Sequence, residues 1–155
     1  MKQIWKTVVP KLEVLSPSWT GFLRQTLTDL YHDCPEETSY RKLLLAFQET
    51  FPEWQVQKEQ LMVYWLYTYF CGAVYDERIF AKGKMAVLCT LFIEELVLGL
   101  FVERQETLAF EDLVSVSYRF SRELEHSDQN LNTLEELLEH EEVFSLEHLL
   151  TLCEI

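Results

Sequence analysis

The sequence predicts an all-α, single-domain helical bundle over residues 1–155, and two observations carry that expectation. The first is a pair of long, nearly uncharged stretches, Leu61–Tyr75 and Met85–Val102, joined through the polar link Asp76-Glu77-Arg78. They read as a buried central helix pair, because a helix that is apolar nearly all round needs neighbours on several sides. The second is helical spacing of apolar residues through most of the remaining chain. Only four Gly and four Pro occur, which fits helices with short connections.

About seven helices are expected, in order. Ile4, Trp5, Val8, Val9, Leu12 and Leu15 keep helical spacing, and Pro10 kinks or divides that segment. Ser16-Pro17 reads as an N-cap followed by proline at the first helical position. The helix it opens uses Trp19, Phe22, Leu23, Leu27 and Leu30, and stops near Cys34-Pro35. Thr38 or Ser39 caps a third through Tyr40, Leu43, Leu44, Phe47 and Phe51, ended by Pro52. A fourth runs from near Gln55 to about Tyr75, with Gly72 permitting close helix contact or fraying, and a fifth from about Arg78 to Val102. After the polar link 103–109, Phe110, Leu113, Val114, Ser117, Phe120 and Leu124 form an amphipathic stripe. Ser127 is a good N-cap for a helix using Leu131, Leu134, Leu137 and Leu138. Phe144-Ser145 followed by Leu149 fits a hydrophobic staple opening a last short helix to Cys153.

Composition agrees with a folded domain. Hydrophobic content of 48% and aromatic content of 14% argue against disorder. A chain of 155 residues is long enough to bury about 70% of its unfolded surface without disulfides or metal. Its charge is uneven. Residues 1–102 hold 10 Lys/Arg against 12 Asp/Glu, whereas residues 103–155 hold 3 against 14. The C-terminal part is thus a strongly acidic subregion of one domain. Such a field repels phosphate and anionic lipid, so neither nucleic acid nor a membrane surface is the expected partner. The apolar run Leu61–Tyr75 is shorter than the about 20 residues a spanning helix needs. Met85–Val102 includes Glu94 and Glu95, each costly in lipid. Cys34, Cys71, Cys89 and Cys153 form no CxxC pair, and Met1–Lys6 lacks the apolar run of a secretory signal. The expectation is a cytoplasmic protein with reduced thiols.

Among polar groups, Arg119, Arg122, Glu123, Glu125 and His126 stand out. Arg119 and Glu123, and Arg122 and His126, are four apart; Glu123 and His126 are three apart, so these pairs share helix faces. An ExxH metal half-site needs a second ExxH, and none exists, because Leu137 and Ser145 precede His140 and His148 by three. An exposed ion-pair ladder is the simpler reading, with His126 near a helix C-terminus. Glu94 and Glu95 interrupt a helix that otherwise reads as buried. A buried carboxylate must be paired or protonated, and Arg119 or Arg122 is the expected partner unless one glutamate faces solvent. The series Tyr64, Trp65, Tyr67, Tyr69, Phe70 and Tyr75 reads as core packing, since base stacking needs an accompanying basic groove. No GxSxG, GxxxxGK[ST] or GxGxxG occurs, so the chain is not expected to be catalytic alone. No catalytic, cofactor-binding or metal residue is assigned.

The segments Tyr64–Phe70, Ala73–Asp76 and Lys82–Val87, the string Phe120-Ser121-Arg122-Glu123-Leu124-Glu125-His126-Ser127, and Leu12–Leu15 with Trp19 resemble the C-terminal helical region of flagellin lysine-N-methylase-type proteins. The resemblance implies transfer of methyl groups from S-adenosylmethionine to flagellin lysines by the full-length family. It also implies a metal or iron–sulfur centre on a CxxCxxCC motif in the N-terminal part. This sequence has no such motif, so those ligands carry over to no position here. The expected role is accessory: docking a protein substrate, or supporting a catalytic Cys-cluster domain. Glu94, Glu95, Arg119, Arg122, Glu123 and His126 are the candidate interaction face or buried polar network. The alternative is a non-catalytic interaction or regulatory module, with a homodimer compatible.

Overall fold

A computed structural model describes residues 1–105 and 107–153, and among them the regular structure is helical throughout. Its axis is α6 (Ile79–Glu103), buried without interruption from Leu88 to Phe101. No proline falls within it, and its residues are apolar on every side, so the helix is stable only when surrounded. The surround is supplied by α2 (Pro17–Asp33), α3 (Glu37–Thr50), α4 (Trp54–Tyr69), α7 (Phe110–Glu125), α8 (Asp128–His140) and α9 (Leu146–Cys153), all of which pack on it. α1 (Lys2–Val8) completes the shell by stacking Trp5 on Phe92, ring centroids 3.9 Å apart. By length and composition α6 could cross a membrane, but 89% of its apolar window lies inside the bundle.

Local chemistry sets the element ends. Pro10 breaks the first segment as expected: α1 stops at Val8, a 3-10 turn covers Val9–Lys11, and Leu12 is extended. Pro17 opens α2 directly after Ser16. Ser127 caps α8, its hydroxyl accepting the Asn130 N–H at 3.0 Å. At the start of α7 the Asp112 carboxylate accepts the Ala109 N–H at 2.9 Å. The α7 stripe is satisfied in part: Leu113, Phe120 and Leu124 are buried, with Val116 beside them, whereas Phe110 and Val114 stay about half exposed.

Helices α2 and α6 approach each other closely at Gly99. A Cβ placed there would lie 2.5 Å from the Thr26 carbonyl oxygen and closer still to the Thr26 methyl. Hydrogen at this one position lets the two backbones meet.

The stretch Leu61–Tyr75 departs from expectation. It is not one all-round buried helix. α4 ends at Tyr69, a 3-10 turn spans Phe70–Gly72, and a single turn, α5 (Ala73–Asp76), precedes Glu77 at φ 62°. Only Trp54 and Trp65 of α4 are buried, because α6 covers one side of it. Tyr67, Val74, Tyr75 and Phe80 are more than three-quarters exposed, and Cys71 is exposed too.

Candidate functional site

Glu94 and Glu95 are both buried, at 4% and 2% exposure, so neither faces solvent. Successive residues on a helix point about 100° apart, and the two carboxylates meet different neighbours. Glu94 accepts the Trp54 indole N–H at 2.9 Å and pairs with Lys58 at 2.7 Å. Glu95 accepts the Trp5 indole N–H at 2.8 Å and the Tyr31 hydroxyl at 2.5 Å, with the Tyr40 phenol close enough to feel its charge. The cation beside Glu94 is therefore Lys58 of α4, not Arg119 or Arg122. Among the described residues no side-chain cation pairs with Glu95. Burial pushes its carboxyl above the usual range, against the opposing pull of Tyr31, the α-ammonium, Trp5 and Tyr40. Burial and the Glu95 charge push the Tyr31 and Tyr40 phenols well up in turn. Both glutamates line a cavity of about 210 Å³ under the α2–α3 turn.

The string Ser121–Ser127 divides its work residue by residue. Glu123 is buried, and its carboxylate accepts the Leu15 N–H at 2.9 Å. Asn130, 1% exposed, carries no signal in the sequence pattern, yet it makes the most complete set of bonds. Its side-chain oxygen accepts the Glu13 N–H at 2.8 Å, and its amide donates to the Glu13 carbonyl at 3.0 Å and the Glu123 carbonyl at 2.8 Å. Ser127 also donates to the Glu13 carboxylate. Residues 13–15 are thus held against α7 and α8 by side chains more than 100 positions away.

Glu125 faces the other way. It accepts Tyr64 at 2.6 Å and Tyr69 at 2.8 Å, together with Ser121. Burial first, then the Glu125 hydrogen bond, pushes the Tyr64 phenol up to about 12. Arg119 is exposed and lies over the Phe22 ring, 4.4 Å from its centroid. Arg122 and His126 are exposed. The expected ion-pair ladder is absent among the described residues, since Glu123 is committed to backbone instead. A second network, not expected from the sequence, binds the start of α6 to α8. Lys82 pairs with Asp76 and Glu135 at 2.8 Å each, and Arg78 with Glu136 at 2.5 Å.

These groups make a poor nucleophilic centre. Cys89 is fully buried, and desolvation, with the Glu125 charge adding, pushes its thiol well up, away from the reactive thiolate. No group of three His, Cys, Asp or Glu side chains among the described residues is placed to hold a metal ion. The arrangement holds helices in place and keeps acidic side chains on the surface.

Fold and networks together define an all-α helical domain whose buried carboxylates are held by indoles and phenols. The FliB lysine N-methylase C-terminal domain family matches residues 1–152, nearly the whole chain, and the protein belongs to that family. No curated protein and no solved structure matches it.

Proposed function

We propose that this domain serves protein lysine methylation as an accessory unit that docks the lysine-bearing substrate, flagellin, while methyl transfer from S-adenosylmethionine takes place in another part of the methylase. The family membership supports the setting. The observation that carries the docking role is the acidic face of α8 and the segment after it, where Glu136, Glu139, Glu141, Glu142 and Glu147 are all exposed. Clustered carboxylates raise the association rate of a lysine-rich surface and make it salt-sensitive. Glu142 and Glu147 form no ion pair among the described residues, so they are free to meet a cation.

Calorimetric titration with flagellin tests this. Binding at low salt should weaken at least tenfold in Glu142→Lys/Glu147→Lys and with flagellin whose lysines are acetylated. Equal affinity for acetylated flagellin, or none for native flagellin at low salt, overturns the reading.

One observation favours a second reading, an interaction module that pairs with itself. Tyr67, Val74, Tyr75 and Phe80 sit at one end of the α4–α6 hairpin at 76–93% exposure. Exposed aromatic patches of this kind mark interfaces. A mass that rises with concentration and reverts in Tyr75→Ser/Phe80→Ser would support it.

A further inference from the structure

Between α4 and α7 the fold leaves a groove that borders the Glu125 and Glu94 networks at Tyr64, Ser121 and Trp54. Its volume is about 470 Å³, within the range of small-molecule sites. Val56 and Tyr64 stand on the α4 side, eight residues apart; Phe110, Val114 and Tyr118 stand on the α7 side at successive fours. Residues at these spacings share a helix face, so each set forms one wall. The wall residues are 47–63% exposed, which leaves them open to a visitor. No charged residue lines the groove.

Trp65 adds an independent observation. It lines the groove and is 1% exposed, and its indole N–H meets no acceptor among the described residues. Trp5 and Trp54, the other buried indoles, each donate to a glutamate. A buried donor left without a partner is costly, and a ligand that brings an acceptor recovers that cost.

We propose that the groove binds an uncharged, flat aromatic molecule bearing one hydrogen-bond acceptor, with its ring between Tyr64 and Tyr118 and its acceptor on the Trp65 N–H. A charged ligand would be desolvated there without a counter-charge. A docking helix fits the walls less well chemically, since its backbone carbonyls are already bonded within the helix.

Coumarin and naphthalene test this as bicyclic probes of similar size, only the first carrying an acceptor. They are titrated into full-length protein with ¹⁵N-labelled indoles. Coumarin is expected to move the Trp65 N–H resonance saturably, with naphthalene binding at least tenfold more weakly. Val114→Trp, at an exposed wall position, is expected to block coumarin while the Trp5 and Trp54 resonances stay in place. Trp65→Phe, if it folds, should bring the two probes to equal affinity; if it does not fold, Val114→Trp decides. No saturable shift, equal affinity in the parent protein, or coumarin binding that survives Val114→Trp overturns the proposal. So does a Val114→Trp variant that loses flagellin binding or self-association when coumarin never bound, because the groove would then be a protein interface.

Discussion

Replacing Gly99 by alanine should destabilise the domain, although it improves helix propensity. In an open helix Gly→Ala gains about 1 kcal/mol. At Gly99 the new methyl would stand 2.5 Å from the Thr26 carbonyl oxygen and 3.1 Å from its carbon. Those are backbone atoms of α2 and cannot rotate aside, so the strain belongs at the upper end of the overpacking range, about 3 kcal/mol. The net loss is then about 2 kcal/mol, or roughly 4–8 °C in Tm for a chain of this size. Gly83 is the internal control. It lies on the same helix, and a methyl added there would have nothing within 4 Å, so Gly83→Ala should gain about 1 kcal/mol. Urea unfolding at constant m-value measures both. Adding Thr26→Ala to Gly99→Ala should restore less than half, because it removes the side-chain contact and leaves the backbone one. A Gly99→Ala protein as stable as Gly83→Ala would refute the close approach of α2 to α6.

Two further outcomes follow from the polar networks. Glu95 titrates higher in the folded protein than in the unfolded chain, chiefly because it is buried. Between those two values the native state holds the extra proton, so its contribution to stability is full below the usual carboxylate range and is lost as pH rises through the folded value. Tm should therefore fall less between pH 4 and pH 7 in Glu95→Gln than in the parent, and parallel curves would contradict this. Asn130→Ala removes both bonds to the Glu13 backbone and should cost about 1–3 kcal/mol. Hydrogen exchange at Glu13 and Leu15 should accelerate in that variant more than exchange within α6; uniform acceleration would show that residues 13–15 are not held locally by this clamp.

The all-α class and the central helix were legible because they rest on short-range pattern. The apolar run ending at Val102 could be a helix only if buried, and α6 is that helix. Proline at positions 10 and 17 and the Ser127 cap act on adjacent backbone, and all three behave as the sequence indicates. Leu61–Tyr75 misled because apolar composition does not report how many neighbours a helix has. For the polar residues, the sequence pattern singles out positions without giving their partners. Glu94 and Glu95 are in the core and Glu123 is buried. Their partners Lys58, Trp5 and the Leu15 N–H lie 36, 90 and 108 residues away. Helix spacing reveals shared faces, not what the fold brings against them. Gly99 and Asn130 carried no local signal, since a close approach and a backbone clamp exist only once distant segments meet.

The neighbouring glutamates of α6 also settle a question of orientation. A cylinder that is greasy on every side can turn about its own axis in its socket and bury almost the same area at each angle. Two adjacent acids remove that freedom. Only one angle offers Trp54 and Lys58 to the first while offering Trp5 and Tyr31 to the second. At any other angle a carboxylate is stranded in the interior, at a cost far above small changes in packing. Together with the close fit of Gly99 against Thr26, the pair acts as a key cut into an otherwise apolar shaft, and it gives the bundle one native arrangement in place of several near-equal ones.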